Sequence, residues 1–281
     1  MRKLAYALLL SAATVQAQEP AATTPPQLDQ TQVAAIRAAV GNSGRTITNV
    51  TRDAYRNPEQ TLTFFGVTPE QTVVEVWPGG GWYTEVLAPL LRDKGTLIAA
   101  HFDPESDVGF FRRSRAQFEA KLAEHPERYD RVQLATLNYD PNLAISEPGS
   151  ADRVLTFRNV HNWLAAGEGE AQVMFDKFFA VLKPGGMLGV VEHRAKAGAS
   201  LEQMIESGYV TEEKVRELAA SAGFELLSVS PINQNPRDTT DHPEGVWTLP
   251  PTLRLGDEQR AHYLAVGESD RMTLLFIKPE A

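Results

Sequence analysis

The chain has 281 residues, 42% hydrophobic and 22% charged, enough apolar material for the core of one large α/β domain. Its 27 basic against 36 acidic residues give a net charge of −9; such a surface repels phosphate backbones and anionic lipid and argues against nucleic acid as a partner. There is no cysteine, so disulfides, thiolate catalysis and cysteine-ligated zinc are excluded outright.

The N-terminus has the pattern of an export signal. Arg2 and Lys3 give a positive start, residues 4–13 a short apolar core, and Val15-Gln16-Ala17 a small-x-small cleavage site. Residues 1–17 are therefore expected to be a cleavable signal peptide, with the mature chain exported to a periplasm and starting at Gln18. The apolar run is too short for a membrane span, and no later run is long enough for one. Residues 18–30, rich in Pro and Thr, read as a flexible leader.

Residues 31–281 are expected to form one domain: N-terminal helices within 31–66, a core over 67–230, and a loop or lid with the last strand over 231–281. Residues 31–40 predict a helix stopped by Gly41. A second is expected over 58–65, with Asn57 as N-cap and Gly66 as its stop. Strand and helix then alternate. Strands are expected at 72–77, 96–101, 132–137, 153–157, 187–192, 224–229 and 272–277. Helices are expected at 82–92, 104–124, 168–182 and 211–222, the last capped by Thr211. The 104–124 helix, with Phe110, Phe111, Arg112 and Arg113 near its start, reads as a solvated helix with one buried stripe rather than a binding face. Residues 230–256 are too long and polar for a simple connection and suggest a functional loop or lid. The alternation implies a mostly parallel sheet with helices on both faces, whose strand ends share one edge.

That edge is best marked at residues 73–87. Val73, Val74 and Val76 suit a buried parallel strand. Gly79, Gly80 and Gly81 follow, and the next helix begins near Trp82. Glycines without Cβ let the backbone approach a bound group, and helix amides then point at it.

With these pieces in order, the chain resembles class I S-adenosylmethionine-dependent methyltransferases over about residues 60–230. The Glu75-Val-Trp-Pro-Gly-Gly-Gly81 segment resembles the family's first motif, and residues 95–101 its second strand. Residues 152–162 resemble the fourth strand, and Val181-Leu-Lys-Pro-Gly-Gly-Met187 the turn before strand five. Residues 210–224 resemble the passage into strand six. The resemblance implies a three-layer Rossmann-like fold with a seven-stranded, mostly parallel sheet and a final antiparallel strand. It implies an S-adenosylmethionine-dependent enzyme acting on a small molecule or an envelope substrate. Cofactor contacts would come from Glu75, Gly79, Gly80 and Gly81, and from His101 or Asp103 toward the ribose. Two departures stand out. Trp77 occupies a position usually held by glycine, and His101 stands where the family carries its ribose-binding acid. An export signal also sits oddly with a cofactor made in the cytoplasm. A nicotinamide enzyme is disfavoured, because Trp82, Tyr83 and Thr84 follow Gly81 and break the Gly-x-Gly-x-x-Gly spacing.

Trp77 and Trp82 flank the glycine turn, where either can stack on a ligand or fill core. His101, His161 and His193 fall at the ends of strands two, four and five, and His242 lies in the loop before strand seven. Singly each reads as a hydrogen-bonded histidine; together they suggest a general base or a metal site, which Glu192 or Asp241 would complete. Catalytic candidates are His161, His193 and Arg158, the last able to grip a carboxylate or to pair with Glu192. The alternative function is an exported binding module on the same fold, using the histidine edge for a metal or small ligand.

Overall fold

A computed structural model describes residues 25–280. The expected signal peptide and most of the expected leader lie outside the described residues. Four helices come first: α1 (Gln30–Val40), α2 (Ile47–Val50), α3 (Asp53–Arg56) and α4 (Pro58–Phe64). The alternating part runs β1 (Thr72–Val76), α5 (Thr84–Leu91), β2 (Thr96–His101), α6 (Gly109–Glu124), α7 (Pro126–Tyr129), β3 (Gln133–Thr136) and β4 (Ala151–Phe157). It continues with α8 (Val160–Ala166), α9 (Glu168–Val181), β5 (Leu182–His193), α10 (Leu201–Ser207), α11 (Glu212–Ser221) and β6 (Glu225–Ser230). After a short 3-10 turn at Gly245–Thr248 come α12 (Arg260–Val266) and β7 (Arg271–Ile277).

The strands form one seven-stranded sheet in the order β3-β2-β1-β4-β5-β7-β6. Its first five strands pair in parallel, and β7 runs antiparallel to both β5 and β6. Successive β1 residues face opposite ways and both sides are buried. Val74 and Val76 pack with Ile98, Val154, Val190 and Phe178 in one apolar cluster. Val73 packs with Leu97, Leu155, Leu87 and Ile36 in the other. Burial on both faces is why these strands read as continuous apolar runs rather than as alternation. The direction of the sequence order reverses between β1 and β4, and their C-terminal ends open a crevice there.

Most expected elements are present, with local differences. Asn57 does not cap α4: it has a left-handed φ of 43° and makes no side-chain cap. Its side chain instead donates to Ile232 O at 2.8 Å, tying the N-terminal helices to the segment after β6. Thr211 caps α11 as expected, its Oγ1 accepting from Lys214 N. The Lys183-Pro-Gly-Gly turn is absorbed into a longer β5. The short helices α2, α3, α7, α8, α10 and α12 lack enough turns for a visible apolar period.

Candidate active site

A cleft of about 700 Å³ opens at the switch point between β1 and β4. The glycine turn forms one wall. A Cβ built on Gly79 or Gly80 meets nothing within 4 Å, so this backbone is bare toward the cleft. Gly79 and Gly81 both have left-handed φ, +57° and +78°, but Gly81 differs in its surroundings: a Cβ there would crowd Phe118, Lys121 and Thr84, and it does not line the cleft. Its glycine serves the turn.

The turn is braced from behind. Glu75 is buried and accepts from Thr84 Oγ1 at 2.6 Å; burial raises its carboxyl to about 7. Lys121 Nζ donates to Gly80 O at 2.8 Å and to Glu85 at 2.8 Å. His101 is fully buried, with Nε2 bonded to Gly79 O at 3.1 Å and Nδ1 accepting from Phe102 N at 2.7 Å. That pairing fixes the tautomer with the proton on Nε2. Burial pushes its pKa down to about 4. His101 is thus a strut for the turn, and it does not line the cleft. Neither does Asp103, whose carboxylate accepts from Glu105 N and Asn138 Nδ2. Neither of the two residues expected at the ribose therefore lines the cleft.

Trp77 decides the other end of the turn. Its φ is 42°, the left-handed backbone that favours glycine. The indole is only 5% exposed and Nε1 donates to Leu137 O at 3.0 Å. Its ring centroid lies 4.6 Å from Phe102, 5.6 Å from Phe111, 5.9 Å from Tyr139 and 5.8 Å from Trp163. The hollow between the ends of β1, β2 and β3 is therefore filled from within. Phe110, Phe111 and Tyr139 line the cleft beyond it, so the start of α6, expected to be a solvated helix with one buried stripe, forms part of the cleft wall.

The opposite wall carries the histidines. His161 Nδ1–H donates to Glu192 Oε1 at 3.0 Å. Glu192 is fully buried and also accepts from Val160 N at 2.6 Å and from His193 N at 2.8 Å. His161 Nε2 is left with no partner among the described residues. His193 lies 5.2 Å from His161 between ring centroids, and its Nδ1 meets Ser269 Oγ at 2.5 Å. Burial, then the nearby His161 and arginines, hold His193 well below its usual pKa. Ligand atoms of His161, Glu192 and His193 all lie within 4.8 Å of one another. His242 is not in this group. It pairs with Asp238 at 2.8 Å, away from the cleft, while Asp241 pairs with Lys196.

Arg158 also lines the cleft, and it does not bridge to Glu192, which is taken by His161. Val246, Trp247 and residues 250–252 close over one side, so the long loop supplies cleft wall from its second half only. The sequence reading missed Arg52, Arg56, Glu268 and Ser269, all of which line the cleft. The four-residue spacing of Arg52 and Arg56 was a usable signal for a shared face. Their partner Glu268, more than 200 residues on, was not.

The strand order and the antiparallel β7 define the class I methyltransferase fold. Comparison with solved structures agrees. An Aquifex aeolicus SAM-dependent methyltransferase aligns with a TM-score of 0.53 and 15% identity, over 88% of this chain and 98% of that one. A geranyl diphosphate methyltransferase in complex with SAM aligns with 0.53 and 16%, over 86% and 94%. The [4+2]-cyclase SpnF aligns with 0.54 and 18%, over 92% and 98%. No protein-family profile and no curated protein matches the chain. At these identities the likeness establishes the fold, and one of the three is described as a cyclase, so function must come from the site.

The site fits S-adenosylmethionine in part. The bare turn at Gly79 and Gly80 and the Glu75 carboxyl lining the cleft suit an amino-acid end. The ribose finds no free acid at the end of β2, and the innermost hollow is occupied by the Trp77 indole. The aromatic wall of Phe110, Phe111 and Tyr139 remains for a purine.

Proposed function

We propose that the chain is an S-adenosylmethionine-dependent methyltransferase acting on a small molecule. The observation that carries this reading is that the bare glycine turn and His161, held from behind by the buried Glu192, face one cleft at the switch point of this fold. When bound, the cofactor supplies an electrophilic methyl group. The protein's own part is alignment of the acceptor and removal of its proton. His161 takes that proton at Nε2, while Glu192 holds the ring by Nδ1 and stabilises the imidazolium that results. Gly79 and Gly80 allow close approach, and Phe110, Phe111 and Tyr139 offer a stacking surface. Arg158 holds an anionic group. The reading includes export to a periplasm, supported by the first 17 residues, and it requires donor to be supplied there.

Calorimetry with S-adenosylmethionine and S-adenosylhomocysteine on the mature chain is the test. Saturable binding of either supports the reading; no heat and no thermal shift with both rejects it.

A second reading is favoured by the closeness of His161, Glu192 and His193: a metal-binding module on the same fold. Elemental analysis of untagged protein separates the two. Stoichiometric zinc or copper supports the module, and absence of metal, with a melting temperature insensitive to both ions, removes it.

A further inference from the structure

One end of the cleft concentrates positive charge in an otherwise acidic protein. Arg52 Nε and Arg56 Nε contact the two oxygens of Glu268 at 2.6 and 3.2 Å, and Arg271 Nη1 reaches Oε2 at 3.2 Å. Glu268 is buried, and burial alone would raise its carboxyl; the three arginines overcome this and hold it at about 2. One carboxylate thus serves three guanidiniums and has no oxygen left over.

The donors are not used up. Arg56 is only 3% exposed, yet its Nη2 has no hydrogen-bond partner, and the buried Nη2 of Arg52 has none either. Both residues line the cleft. A fourth guanidinium, Arg158, lines the same space and makes no side-chain hydrogen bond or ion pair among the described residues. Its backbone sits in the left-handed region at φ 62°, with N–H bonded to Val191 O at 2.7 Å. Leaving buried guanidinium donors unmatched is costly, and such a cluster persists where an anion completes it. Arginine forks match the two oxygens of a carboxylate or phosphate. The cluster shares its cleft with the histidines: Arg52, Arg56, Arg158, His161 and His193 all line it.

We propose that Arg52, Arg56 and Arg158 form an oxyanion-binding site, and that the molecule acted upon carries a carboxylate or phosphate close to the group that His161 deprotonates. The second half of this statement rests on the methyl-transfer reading; the first half does not.

Arg158→Gln is the decisive variant, because Arg158 has no partner to strand. Arg56→Lys is the second: it keeps the charge beside Glu268 and loses the fork. Inorganic phosphate and malonate are titrated separately into the mature chain by calorimetry, with chloride matched for ionic strength. The expected result is saturable binding of at least one, weakened about tenfold or more by Arg158→Gln with no fall in melting temperature. Preference between phosphate and malonate identifies the head group. No saturable binding, or equal binding by the variant, overturns the site. Titration of the same anion in the presence of saturating S-adenosylhomocysteine places the site. Simultaneous binding assigns it to the acceptor, whereas mutual exclusion assigns it to the cofactor carboxylate and overturns the substrate claim. If the anion binds and S-adenosylhomocysteine does not, the methyl-transfer reading fails and the oxyanion site stands.

Discussion

Replacing Trp77 by glycine probes the one residue whose side chain stands between fold and cofactor. The indole is buried against four aromatic rings, and emptying such a position costs about 3–5 kcal/mol. Its φ of 42° works the other way, because glycine adopts this backbone without the roughly 1–2 kcal/mol that a Cβ costs there. The expected net loss is therefore about 1–4 kcal/mol, small enough against the roughly 5–15 kcal/mol of an ordinary domain for the variant to fold. What remains is a flat hollow against Phe102 with an unpaired Leu137 carbonyl, a good seat for a purine with an exocyclic amine. Urea unfolding measures the loss. Calorimetry with adenosine and S-adenosylhomocysteine on both proteins measures the gain, expected to be tenfold or more in affinity, with part of the lost stability recovered by mass action. Equal stability of the two proteins would show that the indole is not packed as described. Equal affinity of the two would show that Trp77 does not occupy the nucleoside's place.

Three further outcomes are expected. In any cell-extract fraction that turns over labelled donor, His161→Gln should cut the rate by about 10²–10⁴-fold, and an unchanged rate would remove His161 as base. His101 is held near pKa 4 by burial against 6.5 when unfolded, so the unfolded state binds the extra proton between those values and stability falls as pH drops through that window. This one group should cost about 1.4 kcal/mol per pH unit, read as the difference in urea stability between wild type and His101→Gln. Taking that difference cancels the opposite slope from Glu75, whose raised pKa favours the folded state as pH falls; a pH-independent difference would refute the burial of a neutral imidazole. Intact mass of the protein recovered from the periplasm of an expressing bacterium should begin at Gln18, and a retained Met1 would refute the processing site.

The residues of the glycine turn show how much of the site could be read beforehand. Valines flanking Glu75 announced a strand buried on both faces, because β-branched runs with no polar alternation fit few other environments. Gly79 and Gly80 announced a backbone open to a ligand, and they are bare. Yet Gly81 next to them is a purely steric necessity, and no feature of three consecutive glycines distinguishes the two roles. His161, His193 and Arg158 were legible as cleft residues because strand ends in a parallel sheet share one edge. His101 obeyed the same rule and turned away, since its ring found Gly79 O first.

Sequence by itself determined the strand–helix alternation, the sheet edge on which the cleft opens, and the absence of thiol chemistry. These follow from local properties: side-chain branching, glycine without Cβ, and the order of elements along the chain. Tertiary structure alone decided that Trp77 fills the hollow and that Glu192 pairs with His161 rather than Arg158. It alone brought Glu268 from the far end of the chain to Arg52 and Arg56. Each of these depends on which groups meet at distances of 3 to 6 Å across different elements, and such meetings are set by the packing of the whole sheet rather than by any stretch of sequence.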